Sequence, residues 1–164
     1  MSTTTAAPSS PNRWLLVSSP ENFEVSRSRG FDVAGMKSRH RKKAEMVQSG
    51  DTVFFYLTGM KAIAGMAEVT GTFYEDHSHI WDSKKVDEEY PFRFSIRPLA
   101  IIPDPGNFVA VEVFVDELEY VQRWSRENWT LAFQGNVHRL GEPDFALLAE
   151  AVYAAVEDSG VVGK

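Results

Sequence analysis

A chain of 164 residues with 43% hydrophobic and 12% aromatic residues has enough apolar surface for one core, which excludes disorder over most of its length and leaves no room for two ordinary domains. It contains no cysteine, which excludes disulfides, thiolate zinc sites and cysteine nucleophiles. A formal net charge of −6 and a pI near 5.2 exclude the broad basic surface of a non-specific nucleic-acid binder, so any contact with nucleic acid would be local.

Residues 1–12, rich in Ser, Thr, Ala and Pro, read as a disordered tail with no charged leader and apolar run behind it. Nowhere does the chain reach the roughly 18 consecutive apolar residues of a membrane span. The expectation is therefore a soluble, cytoplasmic protein with no membrane partner. One domain is expected over residues 13–157, followed by a mobile tail at 158–164 with two glycines.

"RWLLVS" (Arg13 to Ser18) predicts a first strand, and "SPENFEVSRSRG" a helix with Ser19 as N-cap, Pro20 in the first helical position and Gly30 as the stop. "RHRKKAEMV" predicts a second, short helix ended by "QSGD". The pattern then turns extended: "DTVFFYLTG", "AIAGMAEVTGTFY" and "YPFRFSIRPLAII" are runs of β-branched and aromatic residues punctuated by Gly, Asp and Pro. In "FRFSIR", alternation puts Phe92, Phe94 and Ile96 on one face and Arg93, Ser95 and Arg97 on the other. "VEVFVDELEYV" and "ENWTLAF" read as short helices or turns, and "EPDFALLAEAVYAAVE" as a terminal helix with Phe145, Leu148 and Val152 on one stripe. A block of strands with helices before and after implies an α+β domain, drawn as a small β-barrel of about five or six strands flanked by helices.

Local catalytic motifs are missing: there is no Gly-rich phosphate loop, no Gly-x-Ser-x-Gly elbow and no His-Glu-x-x-His helix. The expectation is a non-enzymatic protein without a cofactor. "YEDHSHIWD" holds His77 and His79 at i and i+2 with Asp76 and Asp82 nearby. Two histidines without a third ligand are a weak metal signal, and the plain alternative is a polar loop, so no metal is expected. Trp81 follows that loop. Its ring, like those of Trp124 and Trp129, either anchors the core or walls a pocket. Aromatic rings together with amides such as Asn22, Gln134 and Asn136 are what a pocket for a flat base requires, with stacking on the faces and hydrogen bonds on the edge.

The densest charge run, Lys37, Arg39, His40, Arg41, Lys42 and Lys43, stands out in an acidic chain. It is either a solvated helix face or a phosphate grip. In the second case Lys37, Arg39, Arg41 and Lys42 are the candidate phosphate-binding residues, the arginines being the better ones because a guanidinium forks onto phosphate oxygens.

From "WLLVSSPENFEV" through "RGFDVAGMKSRHRKKAEMVQSGDTVFFYLTGMKAIAGMAEVTGTFYEDHSHIW" and "YPFRFSIRP" to "NWTLAFQGNVHRL", the sequence resembles the EVE domain, a PUA-like fold related to the YTH domain. The resemblance covers about residues 13–156, in several blocks in the right order. It implies a PUA-like barrel and a pocket that takes a modified or flipped base between aromatic walls. On that resemblance Asn22 in "PEN" matches the asparagine used on the base edge, Ser18 and Ser19 the polar strand end beside it, Trp81 in "SHIW" a cage aromatic, and Gln134 in "FQGN" a polar position near the base. The sequence departs from its relatives where many carry a cage Trp after the first helix: Asp32 stands there, with Phe31 beside it. Either Phe31 supplies the wall or the pocket is half open, and an acid in the cage would favour a base with an amino donor or positive charge.

The reading from sequence is thus a reader of a modified nucleotide in DNA or RNA, with any effector on a separate chain. The alternatives are a small-molecule or metal-dependent enzyme that uses the same cavity, and a protein interaction module.

Overall fold

The computed structural model describes residues 10–83, 85 and 88–162. The expected tail at residues 1–12 thus lies largely outside the described residues. In chain order the elements are β1 (Arg13–Ser18), α1 (Pro20–Ser28), β2 (Val33–Met36), α2 (Arg41–Ala44), β3 (Thr52–Leu57), β4 (Ala62–Val69), β5 (Tyr74–Glu75), β6 (Phe92–Ile101), β7 (Val109–Ala110), β8 (Val137–Leu140) and α3 (Glu142–Val162). Tight 3₁₀ turns fill much of the interval from residue 105 to 133. The architecture is α+β with a PUA-like mixed sheet ordered β2-β6-β4-β3-β1-β8, to which β5 and β7 add short pairings. Among the described strands only β1 and β3 run parallel.

β6 links β2 and β5 to the rest of the sheet. Its first half pairs with β2 and β5, its second half with β4. The register against β4 slips between Met66 and Ala67, opposite Pro98, a residue with no N–H to give to the ladder. A second slip in the pairing of β3 with β4, between Phe55 and Tyr56, bends the sheet again. Both bends curl the strands around what lies inside.

Both faces of the central strands are buried, which explains the uninterrupted apolar run "TVFFYL". Phe54 and Tyr56 face a cluster with Ile63, Met66, Trp129 and, from α3, Leu148 and Val152. Val53, Phe55 and Leu57 face the other, with Trp14, Phe23, Phe31 and Phe94. Trp129 is core, and Trp124 packs against the same cluster.

Helix α1 begins as its sequence dictates: Ser19 Oγ accepts from Asn22 N at 3.0 Å, and Pro20 occupies the first turn. It ends at Gly30 (φ +74°), and Phe31 also sits at positive φ (+54°). Burial of the Phe31 ring between Phe23 and Phe55, with centroids 5.3 and 5.7 Å away, offsets that backbone strain. Helix α3 runs on to Val162, through the residues whose glycine had suggested a mobile tail from 158. Among the described residues no helix is long and apolar enough to cross a membrane.

Candidate functional site

Between α1, β2, the end of β1 and the segment before β6 lies a cavity that is partly open to solvent. Leu16, Phe23, Ala34 and Phe55 form its apolar floor, and Trp81 and Tyr90 its aromatic wall. Those two rings meet edge to face at 5.7 Å.

Two side chains one turn apart on α1 hold that wall. Ser26 Oγ accepts the indole N–H of Trp81 at 2.9 Å. Asn22 takes both backbone groups of Asp82: its Oδ1 accepts from Asp82 N at 3.0 Å and its Nδ2 donates to Asp82 O at 2.7 Å. Residues four apart lie on one helix face, so the pair grips consecutive residues of the loop. Gly35 of β2 completes the seat, since a Cβ there would come within 2.7 Å of Trp81 Cζ3. Arg93 braces the loop from below. Its guanidinium is buried, donates to Tyr90 O at 3.0 Å and Ser78 Oγ at 2.9 Å, contacts Ser78 O, and lies 5.6 Å from the Trp81 ring. Alternation along β6 had assigned Arg93 to the outer face; the loop that folds over it buries it.

Tyr90 was not singled out in the sequence. Burial, and then the Glu88 carboxylate, hold its phenol above the ordinary range, against a hydrogen bond to Asn22 that pulls it down. Asn22 therefore spends most of its amide on Asp82 and Tyr90, leaving chiefly the second lone pair of Oδ1 for a ligand.

The cavity opens into a wider mouth, which Ser18, Ser19, Lys37, Arg39 and Glu88 border. Asn136, at the start of β8, lines both spaces. Its Oδ1 accepts from Lys37 N at 2.9 Å and its Nδ2 donates to Val17 O at 3.3 Å, so it ties the cationic segment to β1.

The cationic run divides here. Lys37 Nζ lies 3.1 Å and Arg39 Nη1 2.9 Å from the Glu88 carboxylate at the mouth. Arg41 belongs elsewhere: it pairs with Glu45 at 3.2 Å and Glu75 at 3.7 Å and lies 5.4 Å from the Phe92 ring. Lys42 is exposed and borders neither space. Lys43 donates to Val137 O at 3.1 Å. His40 turns inward, its Nε2 buried without a hydrogen-bond partner, and burial with Arg39 and Lys43 nearby lowers its pKa to about 4.

Three residues expected at the pocket lie outside it. Phe31 is in the core behind Phe23 and Phe55, so it backs the floor and walls nothing. Asp32 is exposed and paired with Arg29 at 3.1 Å, clear of the aromatic wall. Gln134 is exposed; the turn at Gly135 (φ +88°) swings the chain so that Asn136, two residues on, faces the cavity. Ser19 is engaged as the cap of α1, and Ser18 Oγ donates to Ser19 O at 3.0 Å.

His77 and His79 border one small pocket but take different carboxylate partners. His77 sits between Glu75 (2.7 Å) and Glu89 (2.9 Å), whose hydrogen bonds push its pKa up, while His79 pairs with Asp82 at 2.9 Å. Among the described residues no group of three His, Asp or Glu side chains is arranged to hold a metal ion.

The family model of the EVE domain matches residues 12–135. A UPF0310 protein of Pyrococcus abyssi is 26% identical over 144 residues, covering 82% of this chain and 95% of that protein. Among solved structures, human THYN1 in complex with 5-methylcytosine-containing DNA superimposes with a TM-score of 0.54 at 16% identity, covering 84% of this chain and 95% of that one. The Mmi1 YTH domain in complex with RNA superimposes with a TM-score of 0.63 at 8% identity, covering 91% and 82%. These likenesses are of fold.

Proposed function

The chain belongs to the EVE domain family, and on that premise we propose that it is a non-enzymatic nucleic-acid-binding module that reads a modified base. The base enters the cavity beside Trp81 and Tyr90, over the floor of Phe23 and Phe55. Ser18, Asn22 and Asn136 supply the polar groups at its edge, and Lys37 and Arg39 hold a phosphate at the mouth. The observation that carries this reading is the double grip of Asn22 and Ser26 on Asp82 and Trp81, which fixes an aromatic wall over a cavity whose mouth is cationic. A site made for water or a small ion needs no such ring. The solved neighbours, bound in one case to 5-methylcytosine-containing DNA and in the other to RNA, add support from ligands of the same chemistry.

The energetics suit a reader. One stacked base contributes about 1–3 kcal/mol and one buried methyl about 0.8 kcal/mol, so selectivity comes from the modification while the phosphate only positions the strand.

The test is a tryptophan-fluorescence titration with short single strands carrying 5-methylcytosine, 5-hydroxymethylcytosine or adenine methylated on its exocyclic amine, each against its unmodified control. Quenching that favours one modified strand and is lost in Trp81→Ala, with the variant folded by circular dichroism, supports the reading. Silence with every strand rejects it, and equal quenching by modified and control strands rejects selectivity.

A further inference from the structure

At the rim of the mouth three donors converge on one carboxylate. Lys37 Nζ approaches Glu88 Oε1 at 3.1 Å, Arg39 Nη1 approaches Oε2 at 2.9 Å, and Ser83 Oγ donates to Oε1. Two cations and a hydroxyl around one fork of oxygens form the donor set that also suits a phosphate. This is no loose surface pair, because the Glu88 side chain is 13% exposed and that of Lys37 20%. Lys37 is fixed at both ends, its backbone N–H on Asn136 and its ammonium 5.5 Å from the Tyr90 ring. The Ser83 hydrogen bond first, then Lys37 and Arg39, hold the Glu88 carboxyl below its ordinary range, so it stays an anion at neutral pH.

We propose that Glu88 is the internal occupant of a phosphate site, and that a nucleic-acid phosphate binds by taking its place on Lys37, Arg39 and Ser83. This rests on the reading of the cavity as a nucleotide pocket. A phosphodiester replaces one negative charge with another, so the exchange itself gains little Coulomb energy. The free energy of binding must then come from the base in the cavity. The Glu88 carboxylate must leave whichever strand binds, so it lowers the affinity of every strand alike and raises what the base in the cavity must supply. It stands two positions before Tyr90, so its release also loosens the segment that carries one aromatic wall.

The first experiment uses inorganic phosphate, titrated into wild type and Glu88→Gln and followed by the amide resonances of Lys37 and Ser83. Glu88→Gln is expected to saturate at about tenfold lower phosphate, as befits removal of one like charge from the site, and adding Lys37→Met should abolish the response. Equal midpoints in wild type and Glu88→Gln overturn the proposal. The second compares strands: Glu88→Gln should gain affinity for modified and unmodified strands by a similar factor, because the same carboxylate must leave for both. A variant that gains affinity for neither overturns the exchange. If phosphate distinguishes the two proteins while no strand perturbs Trp81, the base-reading function fails and the exchange stands; if strands perturb Trp81 while phosphate midpoints coincide, the reverse holds.

Discussion

Trp81 donates its indole N–H to Ser26 Oγ at 2.9 Å, and the residue after it is pinned by Asn22, one helical turn earlier on α1. The aromatic wall is thus set by a helix face. Removing the acceptor in Ser26→Ala leaves a buried indole N–H unpaired, which costs about 1–3 kcal/mol. Gly35→Ala forces the same ring off β2 by placing a Cβ 2.7 Å from Cζ3. Both variants should shift the Trp81 indole cross-peak in a ¹H–¹⁵N spectrum, assigned by its loss in Trp81→Phe, and weaken binding of the preferred strand. An unmoved cross-peak in Gly35→Ala would show that the contact yields without displacing the ring.

The division of the cationic run gives a second test. Lys37 borders the mouth, whereas Arg41 pairs with Glu45 and Glu75 beside Phe92. Lys37→Met should lower strand affinity for all sequences alike and reduce the salt slope by about 0.7, the share of one single-strand phosphate contact. Arg41→Met should leave both unchanged. If the two variants weaken binding equally, the strand follows the whole run and the assignment of the grip to the mouth is wrong.

How much of this was legible in the sequence depended on whether an element carries its own signal. β3 and β6 are rich in β-branched and aromatic residues, and Ser19-Pro20 announces α1 by cap chemistry. β2 ("VAGM") and β8 ("VHRL") are four residues long, and β2 contains a glycine; they are strands because β6 and β1 offer them edges. The site shows the same divide. Asn22, Ser18 and Trp81, named by resemblance, line the cavity. Tyr90 could not be named, because it follows an acidic run and its main chain is held by the buried Arg93, whose position in an alternating strand reads as outward. Of the two amides read around Gly135, the turn there leaves Gln134 exposed and brings Asn136 to the cavity.

Asp51 tests the scaffold apart from the site. It is fully buried and accepts from Asn12 N at 2.8 Å, Trp14 Nε1 at 2.9 Å and Gln48 N at 3.0 Å. Asp51→Ala orphans those donors and should cost about 2–4 kcal/mol in urea unfolding, the range for loss of hydrogen bonds to a buried charged acceptor. Phosphate and strand binding should be unchanged under conditions where the variant is folded. A loss below about 1 kcal/mol would mean that water replaces the carboxylate.

The last prediction concerns acid. Burial and the neighbouring cations lower His40 to about 4, whereas an unfolded histidine titrates near its ordinary 6.5. Between those values the unfolded chain binds more protons than the folded one, so stability rises with pH across this window and drains as pH falls from 6.5 toward 4. Below about 4 both states are protonated and the loss stops growing. His138 is lowered as well, by burial and then Lys43, and adds in the same direction. His77 opposes them: its pKa is raised by Glu75 and Glu89, so its contribution is present at acid pH and fades as pH rises through that raised value. Urea midpoints at pH 7 and pH 5 should therefore fall in the wild type and fall less in His40→Gln, which cannot titrate there. An equal fall in both proteins would assign the acid sensitivity to His138, and His138→Gln would then be the variant that flattens it.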